Sequence, residues 1–168
     1  MKIFTEKEFH SLPQNQQTGC VKYPNGDLYW YKEGTLHRDD GPAFERSNGD
    51  KFWYKNGTLH RDDGPAKEYT DGSKHWFKNG KRHRLNGPAI EFTRGSKEWY
   101  KEGNLHRDDG PAIELSNGYK GWFKEGQVHR DDGPAIEWHD GTKDYYLNNK
   151  QYSYQQWFAI YNNLEKFI

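Results

Sequence analysis

A 23-residue period runs through most of the chain and leaves little freedom in what it can fold into. A His-Arg pair recurs at His37, His60, His83, His106 and His129, and Gly-Pro-Ala follows in register at Gly41, Gly64, Gly87, Gly110 and Gly133. Trp30, Trp53, Trp76, Trp99 and Trp122 keep the same spacing, Tyr145 takes the sixth place, and a Tyr or Phe ring follows each. A unit this short cannot bury a core alone, so the copies must stack, each covering the next.

Within the unit the pattern is that of a β-hairpin. Asn48-Gly49, Asp71-Gly72, Asn117-Gly118 and Asp140-Gly141 are dipeptides that tolerate positive φ, which predicts type I′ turns there, with Arg94-Gly95 as an exception using another turn. Ala89-Ile90-Glu91-Phe92-Thr93 alternates apolar and polar residues, and Lys97-Glu98-Trp99-Tyr100-Lys101 reads as a second, aromatic strand. A second glycine (Gly34, Gly57, Gly80, Gly103, Gly126) closes that strand. Whether Leu105-His106-Arg107 joins the next strand or lies in a loop stays open. The expectation is an all-β repeat: an elongated, twisted antiparallel sheet of about six hairpins, roughly 55 Å long at ~4.8 Å per strand.

Both ends carry helix signals. Thr5-Glu6-Lys7-Glu8 is a capping box with Phe4 and Phe9 as a hydrophobic staple, which predicts a short helix ending near Pro13. Ser153-Tyr154-Gln155-Gln156 repeats the device with Tyr152 and Trp157, and Trp157, Phe158, Ile160, Tyr161, Leu164, Phe167 and Ile168 have helical spacing. The helices would cap the open sheet ends. The domain reading is therefore a cap over residues 1–22, hairpin repeats over 23–149 and a helical cap over 150–168.

Composition narrows the function classes. Lys plus Arg and Asp plus Glu both total 25, so the basic excess typical of non-specific nucleic-acid binding is missing. Only 32% of residues are hydrophobic yet 17% are aromatic, which favours a thin, ring-built fold over disorder. Cys20 is the single cysteine, consistent with a reducing compartment, and no apolar run approaches a membrane span. The expected location is the cytoplasm.

The 23-residue period, the glycine-anchored hairpin and the aromatic strand resemble MORN repeats. The His-Arg-x-x-Gly-Pro-Ala form is similar to a MORN-like variant of bacterial, phage and giant-virus proteins, some described as YwqK-type antitoxin components. The likeness covers about residues 23 to 149. It implies a scaffold for protein or membrane-lipid contact, with no active site to carry over. The common MORN unit has Tyr-x-Gly where this chain has Trp-Tyr-Lys.

The residues themselves point away from catalysis. His-Arg-Asp at His37, His60, His106 and His129 matches the kinase catalytic loop by letters, but the Gly-rich loop, the nucleotide lysine and Asp-Phe-Gly are missing from the sequence. Histidines two strands apart lie ~9.6 Å from one another, too far to share a metal ion, and the third copy, Leu85-Asn86, drops both carboxylates yet keeps the period. No cofactor, metal or catalytic residue is expected. A charge ladder is the plainer reading, with Arg61 facing an acid of the next hairpin and Glu45, Glu68, Glu91, Glu114 and Glu137 in one column.

The candidate contact residues are Lys55, Lys78 and Lys101 with Tyr54, Phe77 and Tyr100, and Trp157 and Tyr161 on the C-terminal helix. Lysine stems would cover the Trp faces, with nearby Glu residues neutralising the stripe. The resulting expectation is a non-enzymatic protein-interaction scaffold, with an antitoxin, immunity or phage counter-defence role suggested by the resemblance. The alternative is recognition of anionic lipid or nucleic acid through the Lys and aromatic columns.

Overall fold

The structure, a computed structural model, describes residues 3–164. The chain forms two compact units, Met1–Arg82 and His83–Ile168. Both are built from β-hairpins, with one short α-helix near each end of the chain.

Each repeat makes two hairpins rather than one. In the second copy Phe44–Glu45 pairs antiparallel with Lys51–Phe52, and Tyr54–Lys55 then pairs with Thr58–Leu59 as a separate two-stranded ribbon. The same pair of hairpins recurs in the second unit, at Ile90–Glu91 with Lys97–Glu98 and Tyr100–Lys101 with Asn104–Leu105. The first hairpins join one another edge to edge, as in Lys51–Phe52 with Lys67–Glu68 and Lys97–Glu98 with Ile113–Glu114. They form the sheet of each unit; four of the second hairpins are separate two-stranded ribbons, whereas at the two ends Leu28–Lys32 and Lys143–Leu147 run unbroken and keep theirs in the sheet.

The Trp marks the corner between the two. Lys97–Lys101 is therefore not one extended strand: it breaks at Trp99, whose N–H donates to Ala112 O and whose carbonyl accepts from His106 N–H. Trp53 does the same with Ala66 and His60. The corner packs so closely that Ala43, Ala66, Ala89, Ala112 and Ala135 are fully buried, which explains alanine at the end of Gly-Pro-Ala. Leu105 thus folds back on its own copy, which answers the open point about Leu105-His106-Arg107.

The turn assignment is reversed by the structure. At Asn48-Gly49 only the glycine has positive φ; Gly49 N–H bonds Arg46 O and Arg46 N–H bonds Asp50 O. That is a type I turn closed by a glycine bulge. The residue before the glycine needs no positive φ, so Arg94-Gly95 uses the same turn, with Gly95 N–H on Phe92 O and Phe92 N–H on Ser96 O. The two-residue turns with positive φ at both positions are those of the second hairpin: Glu33-Gly34, Asn56-Gly57, Asn79-Gly80, Glu102-Gly103, Glu125-Gly126 and Asn148-Asn149. The second glycine closes the aromatic strand, as expected, and does so by turning it into a hairpin.

Both capping boxes form. Thr5 N–H donates to Glu8 Oε2 at 2.8 Å and Glu8 N–H to Thr5 Oγ1 at 3.3 Å, starting helix α1 (Glu6–His10). Phe4 and Phe9 meet edge-on at 5.6 Å and, with Val21, make the core of that end. Ile3–Thr5, unforeseen as a strand, pairs parallel with Gly19–Lys22. Ser153 N–H and Gln156 Oε1 lie 3.0 Å apart at the start of helix α2 (Tyr154–Leu164). Trp157 packs on Tyr145 at 5.0 Å. The strand Lys150–Tyr152 still belongs to the last hairpin. Phe167 and Ile168 lie outside the described residues, as does the Leu164 side chain. No described helix is long and apolar enough to cross a membrane.

Candidate binding surface

Where two copies meet, the loop after the His-Arg pair of one lies against the Trp corner of the next. Arg61 N–H donates to Phe77 O, Arg84 to Tyr100 O, and Arg107 to Phe123 O. Three such junctions leave an open cleft. One of 580 Å³ is lined by Arg38, Asp39, Trp53, Lys55, His60 and Asp62 among others. Its counterparts in the second unit, of 540 and 570 Å³, are bounded by Trp99, Lys101 and Asp108, and by Trp122, Lys124 and Asp131.

The histidines hold consecutive copies together. Nδ1 of His37, His60, His83, His106 and His129 accepts the backbone N–H of Asn56, Asn79, Glu102, Glu125 and Asn148, each 19 residues on, at 3.1–3.2 Å. Those donors are the first residues of the two-residue turns, so the imidazole buttresses backbone in the left-handed region. An accepting Nδ1 leaves the proton on Nε2. His37 Nε2 bonds Asp39 Oδ1 at 2.8 Å. At His60, His106 and His129 the Asp oxygen lies 3.0–3.2 Å from Nε2 but without the alignment of a formed hydrogen bond. His83, followed by Leu85-Asn86, has Glu102 Oε1 2.9 Å from Nδ1, a contact that is attractive only for the protonated ring.

The arginines are as fully used. Arg61 lies over Trp53 with Cζ 4.1 Å from the ring centroid, and its Nε donates to Asp63 at 2.9 Å. Its Nη1 donates to Pro65 O and to Glu68. Arg38, Arg107 and Arg130 repeat the stack at 4.1–4.3 Å. The charge ladder is therefore present, in the column Glu45, Glu68, Glu91, Glu114 and Glu137. It is arginine, however, not lysine, that covers the Trp faces, because only a planar guanidinium can stack and fork its donors at once. Glycine precedes the proline for the same reason: a Cβ at Gly64 would come within 2.9 Å of Arg61 Cζ.

The acids at the cleft rim are exposed but electrostatically held. The His37 imidazole, then Lys32, pull the Asp39 carboxyl below its ordinary range, and His60, then Lys55 and Lys78, do so for Asp62. Arg61 lowers Asp63 and Arg107 lowers Asp109. Lys32 pairs with Asp39 at 3.6 Å, so these Asp residues balance that lysine rather than a Glu column.

Of the residues chosen from the sequence, Lys55, Lys78 and Lys101 are exposed, and Lys55 and Lys101 line clefts. Tyr54, Phe77 and Tyr100 are half-buried; their carbonyls receive the Arg N–H of the preceding copy, and Tyr100 Oη donates to Glu98 at 2.9 Å. Trp157 is buried in the cap, stacked with the half-buried Tyr161 at 5.3 Å. The open rings of α2 are instead Tyr154 and Phe158, a pair four residues apart that the helical spacing of the sequence could have separated from Trp157 and Tyr161. Among the described residues no three His, Cys, Asp or Glu side chains gather as a metal-binding group. No family model matches the chain, and no curated protein matches it.

Proposed function

We propose that the chain is a non-enzymatic scaffold that binds a protein partner. One observation carries this reading: the groups that could do chemistry are spent on joining copies. Histidine Nδ1 supports the next turn, and arginine is divided between Trp, a carbonyl and carboxylates. What the junctions offer a ligand, at three of them, is an open, repeated cleft rather than a unique constellation of polar groups. The resemblance to MORN-like proteins supports an antitoxin, immunity or phage counter-defence setting by analogy alone. The free, buried Cys20 suits a reducing compartment such as the cytoplasm.

Affinity capture from nuclease-treated lysate tests the reading, using the wild type beside a Lys55/Lys78/Lys101→Glu variant. A protein retained by both at moderate salt supports the scaffold. Lipid or nucleic acid held only by the wild type would replace this reading with recognition of polyanions by the Lys column.

A further inference from the structure

Three cations in the first unit occupy positions that are apolar elsewhere in the repeat. Lys67 stands where other copies have Phe44, Ile90, Ile113 and Ile136. Arg46 replaces Tyr69, Phe92, Leu115 and Trp138, and Arg82 replaces Leu36, Leu59, Leu105 and Val128. A single such exchange would be ordinary drift on a half-exposed sheet. The three, however, come together around one set of rings.

Aromatic rings connect them. Arg46 Cζ lies 5.1 Å from the Phe52 centroid, and Lys67 Nζ lies 5.8 Å from the same ring and 5.2 Å from Phe77. Phe77 is the direct cross-strand partner of Arg82. Lys67 is itself opposed by Phe52 on one side and His75 on the other. Arg46 is answered by Asp50 at 3.3 Å, but among the described residues no carboxylate comes within ion-pair distance of Lys67. Burial, with Arg82 and Arg46 as neighbours, makes the ammonium harder to keep charged. Placing a half-buried cation among cations and apolar rings costs stability, where the isoleucine or phenylalanine of the other copies would not.

We propose that this face, with Arg46, Lys67 and Arg82 as charges and Phe52 and Phe77 as floor, docks an acidic segment of the partner protein. The proposal rests on the scaffold reading above and specifies the chemistry of its partner. Charge complementarity selects the occupant: Asp or Glu side chains would supply the counter-charge that Lys67 lacks, and apolar residues beside them would pack on the half-buried Phe77.

The test restores the repeat. Arg46→Leu, Lys67→Ile and Arg82→Leu install residue types that other copies carry, so the triple variant should fold at least as stably as the wild type, as urea unfolding would verify. Both proteins are titrated by fluorescence anisotropy with a short peptide of Glu, Asp and Phe, and with its Lys-for-acid counterpart. The expected result is binding of the acidic peptide alone, weakening with salt and at least about tenfold weaker in the triple variant. Equal binding by both proteins, or none by the wild type, overturns the proposal. So does tighter binding of phosphatidylserine vesicles or single-stranded nucleic acid than of the peptide. If a protein captured from lysate is retained by the triple variant, this face is overturned while the scaffold reading stands; if no protein is captured at all, it is the scaffold reading that fails.

Discussion

Replacing Glu125 by Asn should stabilise the protein, for two separable reasons. Glu125 opens a two-residue turn at φ 52°, a region where an ordinary L-residue loses roughly 1–2 kcal/mol and Asn loses less. Asn is what the equivalent turns carry at Asn56 and Asn79. There Oδ1 of the side-chain amide lies 2.8 Å from Nδ1 of His37 and His60; since that nitrogen already accepts the backbone N–H, the amide must turn over so that its Nδ2 donates there. Glu125 gives His106 only the backbone bond, at 3.1 Å. Recovering about half of the left-handed cost contributes ~0.5–1 kcal/mol. A second, shared donor on Nδ1 contributes about 0.5 kcal/mol, the low end for a net hydrogen bond. The sum of ~1–1.5 kcal/mol corresponds to a Tm rise of about 2–6 °C for a chain of this size. Urea unfolding and thermal melts measure it, and the same exchange made in a His106→Ala background should keep the backbone part and lose the rest. No gain for Glu125→Asn, or a gain indifferent to His106, would refute the role assigned to the histidine column.

Three further outcomes follow from the same junctions. Arg107→Met loses the stack on Trp99, the pairs with Asp109 and Glu114 and the donor to Pro111 O, and should cost about 2–3 kcal/mol by denaturant unfolding; a cost near zero would mean the stack is incidental. Gly64→Ala should destabilise by ~1–2 kcal/mol, since its Cβ would displace the Arg61 guanidinium from Trp53, and Trp fluorescence should report the displacement. His75 gives a pH signature: burial first, then Lys67 and Arg82, lower its pKa from 6.5 to about 4, against Asp71, which raises it. The unfolded chain then takes up a proton that the folded chain refuses, so stability is lost as pH falls from about 6.5 to about 4. His75→Phe, the residue at position 52, should flatten the slope in that window; unchanged pH profiles would contradict the assignment. Below that window the Asp39 and Asp62 carboxyls, lowered in the folded state, add a further loss as they protonate.

Much of the fold was legible in the residue order, since the signals concerned are local. A capping box needs only four consecutive residues, so Thr5–Glu8 and Ser153–Gln156 could be read directly. The 23-residue spacing fixed the number and phase of the copies. Turn chemistry was less legible. Asn48-Gly49 and Asn56-Gly57 are the same dipeptide eight residues apart, yet only the second has positive φ at both positions. In the first the Asn side chain accepts from Asp50 N–H; in the second the turn is braced by His37 of the preceding copy. The candidate contact residues divided in the same way: lysine exposure followed from alternation, whereas the burial of Trp157 depended on Tyr145 of the last hairpin.

The sequence by itself determined that this is a repeat of hairpins with helical caps, because periodicity, turn residues and caps act over a few neighbouring positions. Only the tertiary structure decided that each copy holds two hairpins, that arginine rather than lysine lies on tryptophan, and that histidine serves the turn 19 residues on. It also brought Arg46, Lys67 and Arg82, far apart along the chain, onto one set of rings. Contacts between copies select one arrangement from several that local propensity allows equally, and those contacts exist only once neighbouring copies have stacked.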